Sequence, residues 1–335
     1  MRKLFGLAAM LACFCLAFSG QSASAADEIR LRLSCPVATK GSFMGDSIEL
    51  WKKLIEEKSG GRIKISLHYS GELGSEGETF DQHYKGTVPL LLTYSTTRYS
   101  EKLGLLSTPY LFDDWNDVRE AFAPDGWMTE VYGKIYEEVG LKFLAPYPGG
   151  FGGVDTKGKY ATNIASAREQ GIKVRCAAIF PLAETMQALG YQVIPVDWNE
   201  TYTAIQTGLV DGSSNNPIFW TYDTFRDLLE YFVDTSHTFS SADMTMNLDA
   251  WNKLSPEDQK IILDSALEVA AKQFEDAEKT DLHYRQLSID HGIKYIKPTP
   301  EEIAEMKKVC QEQIWPLVEK VVGAELMALV RANSK

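Results

Sequence analysis

The segment IRLRLS (29–34) alternates apolar and polar side chains, the period of a half-buried strand. GSFMGDSIELWKKLIEEKSGG (41–61) then switches to helical spacing and stops at Gly60–Gly61. RIKISLHY (62–69) predicts a second strand, SEGETFDQHYKG (75–86) a helix closed by Gly86, and TVPLLLTY (87–94) a third strand, with Pro89 favouring an edge or an end. This β-α-β-α-β order implies a parallel sheet covered by helices. The same grammar returns after residue 170: GIKVR as a strand, PLAETMQALG as a helix, YQVIPV (191–196) as a strand. DWNETYTAIQTG follows as a helix, with Asp197 and Glu200 at capping-box spacing and a stop at Gly208, and LVDGSSN (209–215) is a short strand. The glycine-rich PYPGGFGGVDTKG (146–158) separates the two units and predicts a crossover between domains. Its glycine spacing does not fit a dinucleotide fingerprint.

From Ser255 the chain turns helical: SPED supplies an N-cap, a proline at the first helical position and an acid at the third. The run to about Asp290 lacks proline and glycine. Such a helix, at about 1.5 Å per residue, is long enough to span both domains. A last helical segment, 300–332, is interrupted at Pro316.

A chain of 335 residues supports two domains. The first 25 residues read as a secretory signal peptide: a basic MRK, an apolar LFGLAAMLACFCLAF, and ASA before a cut after Ala25. The expectation is a periplasmic protein. Losing Arg2 and Lys3 takes the formal charge from −12 to −14, which argues against a nucleic-acid partner. Cys35, Cys176 and Cys310 are too few and too scattered for a disulfide framework or a metal motif and read as buried small apolar residues. The five histidines, His68, His83, His237, His283 and His291, lack ligand spacing and read as solvated or capping residues. Neither a G-x-S-x-G elbow nor H-E-x-x-H is present, so the hydrolase reading has no nucleophile or zinc motif behind it. No catalytic residue, cofactor or metal site is expected.

In open α/β sheets ligands bind beyond the carboxyl ends of the strands. Those ends carry Ser34 and Cys35, Tyr69 and Ser70, and Tyr94 in the first unit. In the second they carry Arg175 and Cys176, Asp197 and Trp198, and Asn215 and Asn216. Arginine suits a buried carboxylate because its planar fork gives two parallel bonds and keeps its proton. A strand-end arginine also fits a surface salt bridge, Trp198 a core position, and the asparagines a turn.

The stretch GIKVRCAAIFPLAETMQALGYQVIPVDWNETYTAIQTGLVDGSSNNP (171–217) resembles the signature region of the solute-binding proteins of tripartite ATP-independent periplasmic (TRAP) transporters. The shared elements are G-x-K-x-R, a helix ending in L-G, V-x-P, E-x-Y and Q-x-G-x-V-D-G before an asparagine. SGGRIKISLHYSGELGSE and TPYLFDD extend the likeness over essentially all of the chain after residue 25. The resemblance implies a two-lobed, type II periplasmic-binding-protein-like α/β fold with parallel-rich sheets and a long bridging C-terminal helix. Residues 26–150 with part of 238–335 would form one lobe and 151–237 the other. The helix 255–290 would span both, with C-terminal helices at 300–332.

The resemblance also implies roles. Arg175 would pair with a ligand carboxylate, helped by Asn215, with Asn216 as the alternative. Trp198, Tyr94, Ser34 and Cys35 would line the pocket with Phe151, Phe180 and Trp220. Glu76, with Glu184, Asp197 and Asp211, could supply oxygens to an assisting cation. The second arginine many relatives carry is missing, because none lies between Arg119 and Arg168. Tyr94 stands where sialic-acid-binding relatives place a carboxylate. This exchange favours a monocarboxylate with an apolar, aromatic or 2-oxo body over a hydroxylated sugar acid. The implied partners are that organic acid and the small and large TRAP membrane subunits, with the receptor itself a monomer. A sensor subunit of the same fold is the alternative.

Overall fold

The computed structural model describes residues 28–334. Its elements begin β1 (Ile29–Cys35), α1 (Phe43–Lys58), β2 (Ile63–Tyr69), α2 (Glu76–Tyr84) and β3 (Leu90–Tyr94). A 3-10 turn (Glu101–Ser107) leads to α3 (Trp115–Ala121), α4 (Trp127–Glu138) and the long strand β4 (Leu141–Thr156). The second unit runs α5 (Ile164–Gln170), β5 (Lys173–Cys176), α6 (Leu182–Ala188), β6 (Gln192–Pro195), α7 (Trp198–Thr207) and β7 (Gly212–Asn216). A short turn α8 (Ile218–Trp220) and a π-helical turn (Thr221–Phe225) precede β8 (Tyr231–Asn247), α9 (Leu248–Asn252) and α10 (Pro256–His291). The chain closes with β9 (Lys294–Ile296), α11 (Pro300–Gln313), α12 (Trp315–Val322) and α13 (Ala324–Asn333).

The strands form one mixed sheet in the order β2-β1-β3-β8-β4-β7-β5-β6, with β9 beside β8. The expected parallel units are present: β1 runs parallel to β2 and β3, and β5 to β6 and β7. Two long strands join them. β8 pairs antiparallel with β3 through Tyr94↔Ala242 and with β4 along nearly its whole length, and β4 pairs antiparallel with β7. The fold is two-lobed α/β, and the lobes share one sheet.

Several expectations change. The glycine-rich crossover stretch 146–158 lies within β4 as far as Thr156. Its register slips at Phe143/Ala145, Pro148/Gly150 and Gly152/Val154, each slip absorbing a residue that breaks the ladder. β3 starts at Leu90 in the middle of the sheet, with Pro89 just outside it, where the missing N–H costs nothing. Asp197 occupies the N-cap of α7, but its side chain makes no capping bond, so the predicted box does not form. Gly323 adds a second break to the C-terminal helices.

One core lies under α1, where Ile48, Trp51 and Ile55 pack on Leu33, Ile63 and Ile65. At the exposed edge of that sheet, Lys52 Nζ donates to the Ile65 carbonyl (2.5 Å) and Glu56 Oε1 accepts from the Ile65 N–H (2.9 Å). This pair takes the place of a neighbouring strand and blunts the edge. A larger core on the other face gathers Leu91, Tyr132, Tyr136 and Phe143 with Trp315, Val318 and Met327 of the C-terminal helices. In the second unit, Ile172, Val174, Met186 and Leu189 pack with Met306 and Cys310 of α11. The helix α10 is capped by Ser255, which accepts from the Asp258 N–H, and ends on Gly292. Over 36 residues it touches α1, β4, α8 and β9.

Candidate functional site

The short strand β5 puts Arg175 between Ile194 of β6 and Ser213 of β7, one residue from its end. The side chain is 6% exposed. Its Nε donates to the Val196 carbonyl (2.9 Å), and its guanidinium lies over the Trp198 ring, 5.4 Å from the centroid. Among the described residues no carboxylate comes within ion-pair distance of it and no other hydrogen bond engages it. Burial pulls its pKa down, opposed by the more distant charges of Asp155, Asp197 and Glu76. The group is a desolvated cation whose terminal nitrogens have no acceptor among the described residues.

Aromatic rings lead away from it. Trp198 meets Trp220 edge to face (5.3 Å), and Trp220 Nε1 donates to the Tyr94 hydroxyl (2.8 Å), joining the second lobe to the end of β3 in the first. Burial raises the Tyr94 phenol, so it stays a neutral donor and acceptor. Glu76 opens α2, accepts from Thr93 Oγ1 (2.8 Å) and is raised by burial while Arg175 opposes that shift.

Asn215 sits in the register slip between β7 and β4, with a left-handed φ of 68° that asparagine tolerates better than most residues. Its Nδ2 donates to Ser214 Oγ (2.8 Å) and to Cys176 Sγ (3.3 Å), next to Arg175. Asn216 points elsewhere: its Nδ2 donates to Ser213 Oγ (2.8 Å) and to Asp155 Oδ2 (3.4 Å). Gly152 lets β4 pass beneath this turn, because a Cβ there would lie 2.8 Å from the Asn215 carbonyl.

Direct contacts therefore link Arg175, Trp198, Trp220 and Tyr94, with Asn215 beside Cys176 and the charge of Glu76 felt by Arg175. The other candidates lie differently. Ser34 is buried and its hydroxyl donates to the His68 carbonyl at 3.4 Å. Cys35 is wholly buried in the core under α1, which pushes its thiol up to about 12. Phe151 packs edge-on against Trp115 and Phe239, and Phe180 against the same large core.

Two polar residues of this region escaped the sequence reading. Asp155 is fully buried; its Oδ1 accepts from the Ser213 N–H (2.8 Å) and its Oδ2 from Thr221 Oγ1 (2.7 Å), and burial raises its pKa. It anchors the turn that carries Trp220. His237 is not solvated, as expected, but fully buried, with Nε2 2.9 Å from Asn215 Oδ1 and Nδ1 2.6 Å from Thr235 Oγ1. His83 is likewise buried, whereas His283 and His291 are exposed. The three cysteines are buried, as expected.

The family model for bacterial extracellular solute-binding proteins of family 7 (DctP) matches residues 36–320. The chain belongs to this family. Among its relatives is the ectoine-binding periplasmic protein TeaA of Halomonas elongata, 28% identical over 270 residues, which cover 79% of this chain and 72% of TeaA. The fold matches the TRAP periplasmic solute-binding protein of Desulfovibrio salexigens with bound orotic acid at a TM-score of 0.83 and 21% identity, covering 92% and 99% of the two chains. It also matches the sugar acid binding protein DctPAm of Advenella mimigardefordensis in complex with galactonate, with a TM-score of 0.82, 19% identity and coverage of 92% and 98%. The family is one of solute-binding receptors outside the cytoplasm, and no helix among the described residues is long and apolar enough to cross a membrane. The signal peptide expected at 1–25 lies outside the described residues.

Proposed function

We propose that this DctP-family receptor captures an organic monocarboxylate between its lobes through an Arg175–carboxylate pair. The observation that carries this reading is a buried guanidinium with its Nε bound to the Val196 carbonyl and no carboxylate partner among the described residues. An uncompensated buried charge is costly, by about 3–5 kcal/mol where one partner of a buried pair is removed. A ligand carboxylate completes the pair with charge-assisted bonds of about 1.5–3 kcal/mol each. Asn215 adds a donor beside Cys176, and Trp198, Trp220 and Tyr94 form an apolar wall. The wall has few groups to pair with sugar hydroxyls, which supports an apolar, aromatic or 2-oxo body. The bond between Tyr94 and Trp220 ties the lobes together around the guest, and membrane subunits of a TRAP transporter then recognise the closed form.

The test is calorimetric titration with phenylacetate, 4-methyl-2-oxopentanoate and galactonate. Saturable binding of either of the first two is expected. Binding of galactonate alone would overturn the proposed ligand class.

A further inference from the structure

The two units also meet away from Arg175, at the loop between β5 and α6. Phe180 in that loop packs not with Met186 and Leu189 of its own unit but against the large core that holds Leu91 and Tyr132. Its carbonyl oxygen abuts Gly104, in the 3-10 turn Glu101–Ser107, where a Cβ would overlap it. Resting on the capture between lobes described above, we propose that Gly104 and Phe180 form a latch: a contact that must seat before the ligand space shuts, and that sets affinity without touching the ligand.

The two halves of the latch belong to different bodies. Tyr132 of α4 grips the turn on both flanks of Gly104, its hydroxyl accepting from the Leu106 N–H (3.1 Å) and donating to the Leu103 carbonyl (2.8 Å). Leu103, Leu105 and Leu106 are buried in the same core as Tyr132. On the other side, the Leu182 N–H donates to the Ile179 carbonyl (2.9 Å), and Leu182 opens α6. Met186 and Leu189 then fasten α6 into the core of the second unit. Neither half can follow the other when the lobes swing, so one arrangement makes the contact and the other breaks it.

The close approach requires glycine. Gly104 does not adopt a left-handed φ, so its own turn would accept alanine. A Cβ there would also stand 3.1 Å from Thr97 Cγ2, but that methyl can rotate aside. The opposing Phe180 carbonyl is backbone and has no rotamer to escape into. A methyl at position 104 therefore penalises the shut arrangement and spares the open one. Affinity then falls with the fraction of molecules able to shut, whichever acid is offered.

Calorimetry and small-angle X-ray scattering of Gly104→Ala test the latch, with phenylacetate and 4-methyl-2-oxopentanoate as probes. Affinity should fall about tenfold or more, by one common factor for each acid that binds wild type, while the thermal midpoint of the empty protein holds. An acid concentration that contracts wild type should leave the variant extended. Unchanged affinity would overturn the latch, and so would a loss that differs between the acids or comes with a lower midpoint of the empty protein. Phe180→Ala withdraws the ring and keeps the carbonyl; it should weaken binding less, and unchanged affinity there overturns the latch if Gly104→Ala does not fold. If Arg175→Ala weakens binding and the latch variant does not, only the latch falls. If Arg175→Ala is silent and the latch variant weakens binding, the latch stands and the Arg175–carboxylate pair falls.

Discussion

His83 and His237 are both fully buried, and burial lowers both to about 4, yet they carry their protons on opposite nitrogens. At His83, Nδ1 donates to the Val88 carbonyl (2.7 Å), and Nε2 accepts from the Thr245 hydroxyl (3.0 Å). At His237 the donor is Nε2, and it faces the Asn215 side chain. In each ring an oxygen that can only accept takes the single N–H and settles the tautomer, and a threonine hydroxyl adapts by donating to the other nitrogen. In the first lobe that oxygen belongs to the backbone leading into β3, so the bond stitches the end of α2 to the sheet. In the second it belongs to the side chain of Asn215, in the register slip of β7 beside Cys176. The partner, not the burial, separates the two histidines.

The largest effect that sharpens this comparison is a pH response. A histidine depressed from 6.5 to about 4 binds fewer protons folded than unfolded in that range, so its contribution is complete above about 6.5 and is lost as pH falls toward 4. The shift corresponds to roughly 3 kcal/mol per ring. Asp243 acts in the opposite sense, because burial raises it to about 7. Wild type must therefore be compared with a variant that keeps this carboxyl. In urea unfolding, the stability of wild type relative to His83→Phe should fall by roughly 3 kcal/mol between pH 7 and pH 4. A constant difference would mean that the ring is not held neutral by the fold. A smaller effect is expected at neutral pH, where His83→Phe leaves the Val88 carbonyl without its donor and costs about 1–3 kcal/mol. Affinity for the panel acids should not move in that variant. A drop in affinity would contradict the confinement of His83 to the join between α2 and the sheet.

The same contrast explains what the sequence made legible. β1, β2, β5 and β6, and the helices α1, α7 and α10, kept an intact period and a recognisable stop, so composition and spacing were enough. β4 and β8 cross both lobes and are buried along nearly all their length, which removes the alternation that marks a half-buried strand. The glycines and prolines of β4 then read as a crossover between two units rather than as a strand. Arg175 could be found because it ends a short, clear strand inside a recognisable signature. Asp155 and His237 could not, because each lies in one of the two hidden strands. Cys35 met the opposite fate: its strand was plain, but the core under α1 had already claimed the side chain.

The central claim is that Arg175 waits for a ligand carboxylate. Calorimetric titration of Arg175→Ala beside wild type, with thermal unfolding of both empty proteins, tests it most directly. Affinity should fall about tenfold or more, as loss of a charge-assisted pair requires, while the thermal midpoint of the empty protein does not fall, because the variant removes an unpaired buried charge. An Arg175→Ala protein that binds the acid as tightly as wild type would contradict the account.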